Sequence, residues 1–183
     1  KIPEKGRKKS LILFTAHSLP ESMAHQTNYQ KQLKESCQLI GDALGHQHWR
    51  LVYQSNNASY GKEAWLGPDV CNALAEAKRE GISDVVVAPI GFVCDHLEVL
   101  LDLDTDARQR AQEIDLNMIR ASTVGTHPDF VRMILDLIHE RMMEKPLRPA
   151  LGPGGPSHDY CPANCCLSGR PGEPKPTLCG TPI

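Results

Sequence analysis

The sequence predicts an α/β domain: a four-stranded parallel sheet with helices on both faces, followed by an irregular tail rich in Cys and Pro. Three observations carry this expectation. Four short apolar runs recur through residues 10–144, the mark of strands covered on both sides. The segments between them place apolar residues at helical spacing. Strand and helix alternate, which favours parallel crossovers over hairpins.

Each element has its own reason. "SLILFTA" (Ser10 to Ala16) is continuously apolar and predicts the first strand. Leu33, Cys37, Ile40 and Leu44 then recur at helical spacing and predict a helix from about Asn28 to Leu44. "WRLVYQS" (Trp49 to Ser55) is the second strand. In "GPDVCNALAEAKREG", Asp69 is placed to cap a helix whose inner face is Val70, Leu74 and Ala77, with Gly81 just past its end. "SDVVVAPI" is the third strand and "LNMIRAS" the fourth, with an acidic helix between them. "HPDFVRMILDLIHERM" predicts a last helix opened by Pro128 in its first turn. Residues 1–9 read as a lead-in with a solvated basic cluster, residues 10–144 as the folded domain, and residues 145–183 as the tail. Residues 146–183 hold nine of the fourteen prolines and show no periodicity, so the tail buries little by itself.

Composition narrows the function. A formal net charge of −2 argues against a nucleic-acid partner. No apolar run approaches the roughly 20 residues that span a bilayer, and no signal-peptide order is present, so a cytoplasmic protein is expected. Cys37, Cys71 and Cys94 fall singly in regular segments and read as small buried hydrophobes. An odd count of seven cysteines makes a disulfide framework the weaker reading.

Open parallel sheets bind ligands beyond the carboxyl ends of their strands. There this sequence places His17 and Ser18, then Tyr53, Gln54 and Ser55, then Asp95, His96 and Glu98, then Arg120, Ser122 and Thr123. Asp95 with Glu98 three residues on also fits a capping box, in which both acids serve a helix end. Glu98, Asp102 and Asp106 step by four and form a shallow spiral on one side of a helix; a wider π-type turn would straighten it into a ladder. Such a row is either a solvated helix face or a path for a divalent cation, with imidazole suiting iron, zinc or nickel. A pairing of His17 with Glu98 would hold a divalent ion loosely enough to release it. His25, His46, His48, His127, His139 and His158 receive no role.

"LILFTAHSLPESM", "LVYQSNNASYGKEAWLGPD" and "VVVAPIGFVCDHLEVLLDLD" resemble the three signature stretches of the C-terminal half of ferrochelatases, from about Leu11 to Met142. The resemblance implies a chelatase-like half of the Rossmann/flavodoxin type. It also implies insertion of ferrous iron into a porphyrin, protoporphyrin IX or coproporphyrin III, in heme biosynthesis. Porphyrin and Fe²⁺ would be the substrates, an N-terminal half of the enzyme would be the partner, and peripheral membrane contact stays open. On matching positions, His17 is expected to accept pyrrole protons or position iron on the side opposite the acids. Glu98 is expected across the macrocycle, with Asp95 and His96 in the same shell and Asp102 and Asp106 as an acidic ladder for metal or protons. Tyr53, Gln54 and Ser55 stand as substrate contacts, although Asn56 and Asn57 replace the early cation the family carries after "YQS". Two other readings are a cobalt or nickel chelatase for a related tetrapyrrole and a non-catalytic metal or Fe–S carrier.

In the tail, Cys161, Cys165, Cys166 and Cys179 could ligate a [2Fe–2S] cluster or a structural zinc, or remain free thiols. "CPANCC" resembles the tail of those ferrochelatases that carry a [2Fe–2S] cluster. In them one ligand commonly comes from elsewhere in the chain, so the fourth here is Cys179 or a residue of the other half.

Overall fold

The computed structural model describes residues 2–56, 63–144 and 146–158. A short helix α1 (Glu4–Arg7) precedes β1 (Leu11–His17), and α2 (Glu21–His25) and α3 (Tyr29–Leu44) lead to β2 (Trp49–Gln54). Helix α4 (Val70–Arg79) leads to β3 (Asp84–Ala88). Then come α5 (Leu97–Val99), a π-helical segment (Leu100–Ala107) and α6 (Arg108–Glu113), before β4 (Asn117–Arg120) and α7 (Pro128–Met142). The four strands form one parallel sheet in the order β2-β1-β3-β4.

Alternation along β1 divides the core into two layers. Leu11 and Leu13 join Val52, Val85 and Val87 beneath Leu74 and Ala77 of α4, Leu103 and Ala107 of the π segment, and Ala111 of α6. Ile12 and Phe14 point the other way, onto Cys37 of α3. The Phe14 and Trp49 rings meet edge to face at 5.9 Å there. Asp69 caps α4 as its position predicts, accepting from Cys71 N at 2.8 Å and Asn72 N at 3.4 Å.

Three placements depart from the sequence reading. Leu44, the last residue of α3, is exposed. Cys94 is exposed and Cys71 half-buried, so only Cys37 is the buried hydrophobe expected of all three. Helix α7 starts at Pro128 as predicted but buries no residue, and Val131, Ile134, Leu137 and Ile138 all face outward. Beneath the side it leaves open, Val86 and Ile119 are only half-buried. Among the described residues, no helix is long and apolar enough to cross a membrane.

Candidate functional site

Strand order reverses at β1, with β2 on one side and β3 on the other, and it is at the carboxyl ends of such a switch point that open parallel sheets form a ligand crevice. His17 is the last residue of β1 and stands at that crevice. Its backbone carbonyl accepts from the Tyr29 hydroxyl at 2.9 Å. Its ring Nδ1 faces the Ser18 carbonyl, which can only accept, so Nδ1 carries the proton. The buried Ser18 is itself pinned by its hydroxyl, which donates to the Leu66 carbonyl at 2.8 Å. His17 Nε2 is thereby aimed outward, and it meets Glu98 Oε1 at 3.0 Å. A lone pair facing a carboxylate at that distance needs a proton between them or a cation in its place. The two side chains are 35% and 44% exposed, open enough for a solute to reach.

This contact corrects one expectation. A flat macrocycle between two groups needs about 3.5 Å on each side, roughly 7 Å in all. At 3.0 Å, Glu98 is beside His17 and not across a ring from it.

The loop after β3 brings Glu98 there. Gly91 N donates to the Thr15 carbonyl at 3.0 Å, and a Cβ on Gly91 would lie 2.7 Å from the Ala16 Cβ. Only glycine lets the loop press this closely on β1. The capping box of Asp95 and Glu98 does not form. His96 caps α5 instead, its Nδ1 accepting from Val99 N at 3.4 Å and its ring edge-on to Phe92 at 5.3 Å. Asp95 is unavailable as a cap because Arg120 Nη1 holds its Oδ1 at 2.8 Å.

The acidic row is divided among different partners. Asp102 Oδ2 accepts from Ser55 Oγ and, at 3.1 Å, from Gln54 Nε2. Asp104 is gripped by Arg120 through Nη2 at 2.6 Å and Nε at 3.1 Å, and by Arg108 at 3.0 Å. The Arg120 hydrogen bonds hold the Asp104 carboxyl below its ordinary value, and Asp104 in turn raises Arg120. Asp106 is exposed on the outer side of the π segment. Among the described residues, no three His, Cys, Asp or Glu side chains gather closely enough to hold a metal ion. His17, Glu98, Asp102 and Asp106 therefore do not converge on one point, and His17 and Glu98 stand as a pair.

Tyr53 and Gln54 are fully buried, so neither offers a substrate a surface. Gln54 Oε1 accepts from the buried Thr15 hydroxyl at 2.9 Å while its amide nitrogen serves Asp102. Tyr53 accepts from Gln30 at 3.3 Å, and burial pushes its hydroxyl above its ordinary value. Gln54 thus ties Asp102 to the end of β2. Ser55 is half-exposed and also spends its hydroxyl on Asp102. Sequence reading put Arg120 at the carboxyl end of the last strand but did not pair it with Asp104. Cys161, Cys165, Cys166 and Cys179 lie outside the described residues. Two grooves on the described surface lie away from this pair, one along α7 and one between α3 and residues 152–157.

Known proteins provide the context. The family model for Ferrochelatase matches residues 1–142. A ferrochelatase of Rhodopirellula baltica is 50% identical over 175 residues, which cover 94% of this chain and 48% of the relative. A coproporphyrin III ferrochelatase of Streptomyces griseus is 40% identical over 198 residues, covering 98% of this chain and 52% of the relative. The chain thus spans about half the length of the curated relatives it matches. A putative cobalamin (vitamin B12) biosynthesis CbiX protein from Marinobacter aquaeolei superposes with a TM-score of 0.54 at 16% identity, covering 73% of this chain and 97% of that one, a likeness of fold alone. With the family model covering most of its length, the chain belongs to the ferrochelatase family.

Proposed function

We propose that this chain carries the metal-handling half of an enzyme that inserts Fe²⁺ into a porphyrin during heme biosynthesis. The supporting observation is the His17–Glu98 pair, 3.0 Å apart and open at the switch point of the sheet. With Nδ1 committed to the Ser18 carbonyl, His17 presents only Nε2 to a cation, and Glu98 presents Oε1 beside it. Imidazole and carboxylate suit iron, and two protein ligands leave the remaining positions to water and then to the ring. An arriving Fe²⁺ binds between Nε2 and Oε1 and releases to solvent any proton held there. Insertion breaks two pyrrole N–H bonds and forms four Fe–N bonds with no change of oxidation state. The two protons need bases, and once the iron passes to the ring the freed Nε2 of His17 and the carboxylate of Glu98 can each accept one. Several relatives are named coproporphyrin III ferrochelatases, which favours that substrate over protoporphyrin IX. The other wall of the ring's pocket would come from the part of the relatives' length that this chain does not match.

The test is anaerobic. The 183-residue chain, alone and joined to an N-terminal half, is mixed with Fe²⁺ and free-base coproporphyrin III beside a His17→Ala control. Collapse of the four-band free-base spectrum in the wild type alone is expected. Equal rates with and without His17, or no insertion even in the longer protein, would overturn the reading and favour a metal carrier. The tail extends the proposal: Cys161, Cys165 and Cys166, with Cys179 or a residue of the other half, are the ligands we assign to a [2Fe–2S] cluster, on the strength of the sequence. Anaerobically purified protein should then absorb above about 400 nm and contain acid-labile sulfide. Colourless protein with stoichiometric zinc would refute it.

A further inference from the structure

We infer that Arg120 is a positioning residue for Glu98, acting by strapping the acidic π segment across the carboxyl end of the sheet. This rests on the reading of His17 and Glu98 as the iron-handling pair and adds what holds that pair in contact. Arg120 ends β4, one outer strand of the sheet, and its side chain is only 12% exposed. Through Nη1 it holds Asp95, three residues before Glu98; through Nε and Nη2 it holds both oxygens of Asp104, six residues after. The segment that carries Glu98 is therefore gripped at both ends by one guanidinium. A bidentate grip fixes orientation as well as distance, which a lysine ammonium cannot do.

The opposite outer strand completes the strap. Gln54 ends β2, and with Ser55 it holds Asp102. Asp102 and Asp104 are two positions apart, roughly half a turn, so they leave the segment on opposite sides. One is drawn to β2 and the other to β4, with β1 and its His17 between them. Wide π turns have poor intrinsic stability and depend on such outside fixings. Neither Arg120 nor Asp104 contacts His17 or Glu98 in this arrangement; both act through the backbone that joins them.

The probe is Co²⁺, titrated under anaerobic conditions into the whole chain while its visible absorption is followed. Subtracting the same titration of His17→Ala isolates binding at the pair from binding elsewhere, including at tail thiols. Arg120→Lys, which keeps the charge and loses the fork, should weaken the His17-dependent binding at least tenfold. Asp104→Asn, cutting the same grip from the other side, should weaken it similarly. Combining them should add little, because both remove one interaction. Circular dichroism on each variant identifies any that fails to fold, and Asp104→Asn then carries the test if Arg120→Lys does. His17-dependent binding that is unchanged in both variants would overturn the strap and leave the pair intact. Identical titrations of wild type and His17→Ala would overturn the pair itself, and the strap with it.

Discussion

At the scale of single residues, the site is made by commitments that turn His17 Nε2 toward one partner, Glu98. His17 has its Nδ1 taken by the Ser18 carbonyl and its backbone by Tyr29, so its Nε2 has one direction to face. Gln54 has both ends of its amide engaged, which turns a strand-end polar residue into a buried strut. Cys37 is a residue of another kind, fully buried, with its thiol pushed up to about 12 from an ordinary 9.0 by desolvation. The unfolded chain releases that proton first, so between those values the folded state binds more protons. The stability is fully present below pH 9.0 and is lost as pH rises towards about 12. The urea midpoint should therefore fall between about pH 8 and about pH 10.5, and Cys37→Ala should shrink that fall. An identical fall in the variant would assign the alkaline weakness to other groups.

At the scale of elements, the path from β3 to the π segment is decided by close approach. The loop runs against β1 because Gly91 has no side chain, and a Cβ there would meet Ala16 at 2.7 Å. The clash would be with the backbone of a central strand and not with a flexible tip, since the Ala16 Cα would lie only 2.8 Å away. Gly91→Ala is expected to cost about 1–3 kcal/mol of stability, the usual range for overpacking, read from urea unfolding. It should also weaken His17-dependent Co²⁺ binding, because the same loop delivers Glu98. A variant as stable as the wild type would mean that the loop has room to lift away. The short α5 depends on His96 for its cap, so that imidazole serves the helix end while its neighbour Glu98 faces His17.

At the scale of the whole molecule, the two sides of the sheet are unequally covered. The side under α4, the π segment and α6 is closed, whereas the other is closed by α3 over β1 and left half-open at Val86 and Ile119. Helix α7 carries apolar side chains that the described residues do not bury. Exposed apolar area of this kind binds apolar dyes. The chain should enhance the fluorescence of such a dye, and Val131→Lys with Ile138→Lys should reduce it without changing circular dichroism. A signal that stays undiminished would show that the dye binds elsewhere.

The acids' step of four left a π-helical widening at Leu100–Ala107 only as an option, whereas four strands and their parallel arrangement were legible from local pattern, because strand and helix periods are written in consecutive residues. So was the arrival of His17, Glu98 and the acids at one end of the sheet, which follows from alternation alone. The sequence could not say that Asp95 would be taken by Arg120 and leave His96 to cap the helix. Asp95 and Arg120 are 25 residues apart, and a capping box is a local rule that a long-range ion pair outweighs. Nor could it choose between Glu98 paired with His17 and Glu98 across a ring from it, or show that Tyr53 and Gln54 are buried. Sequence determined which chemical groups reach the crevice; only the packing of β1, β2, β3 and β4 decided which of them touch, because those contacts join atoms that the chain brings together only when it closes.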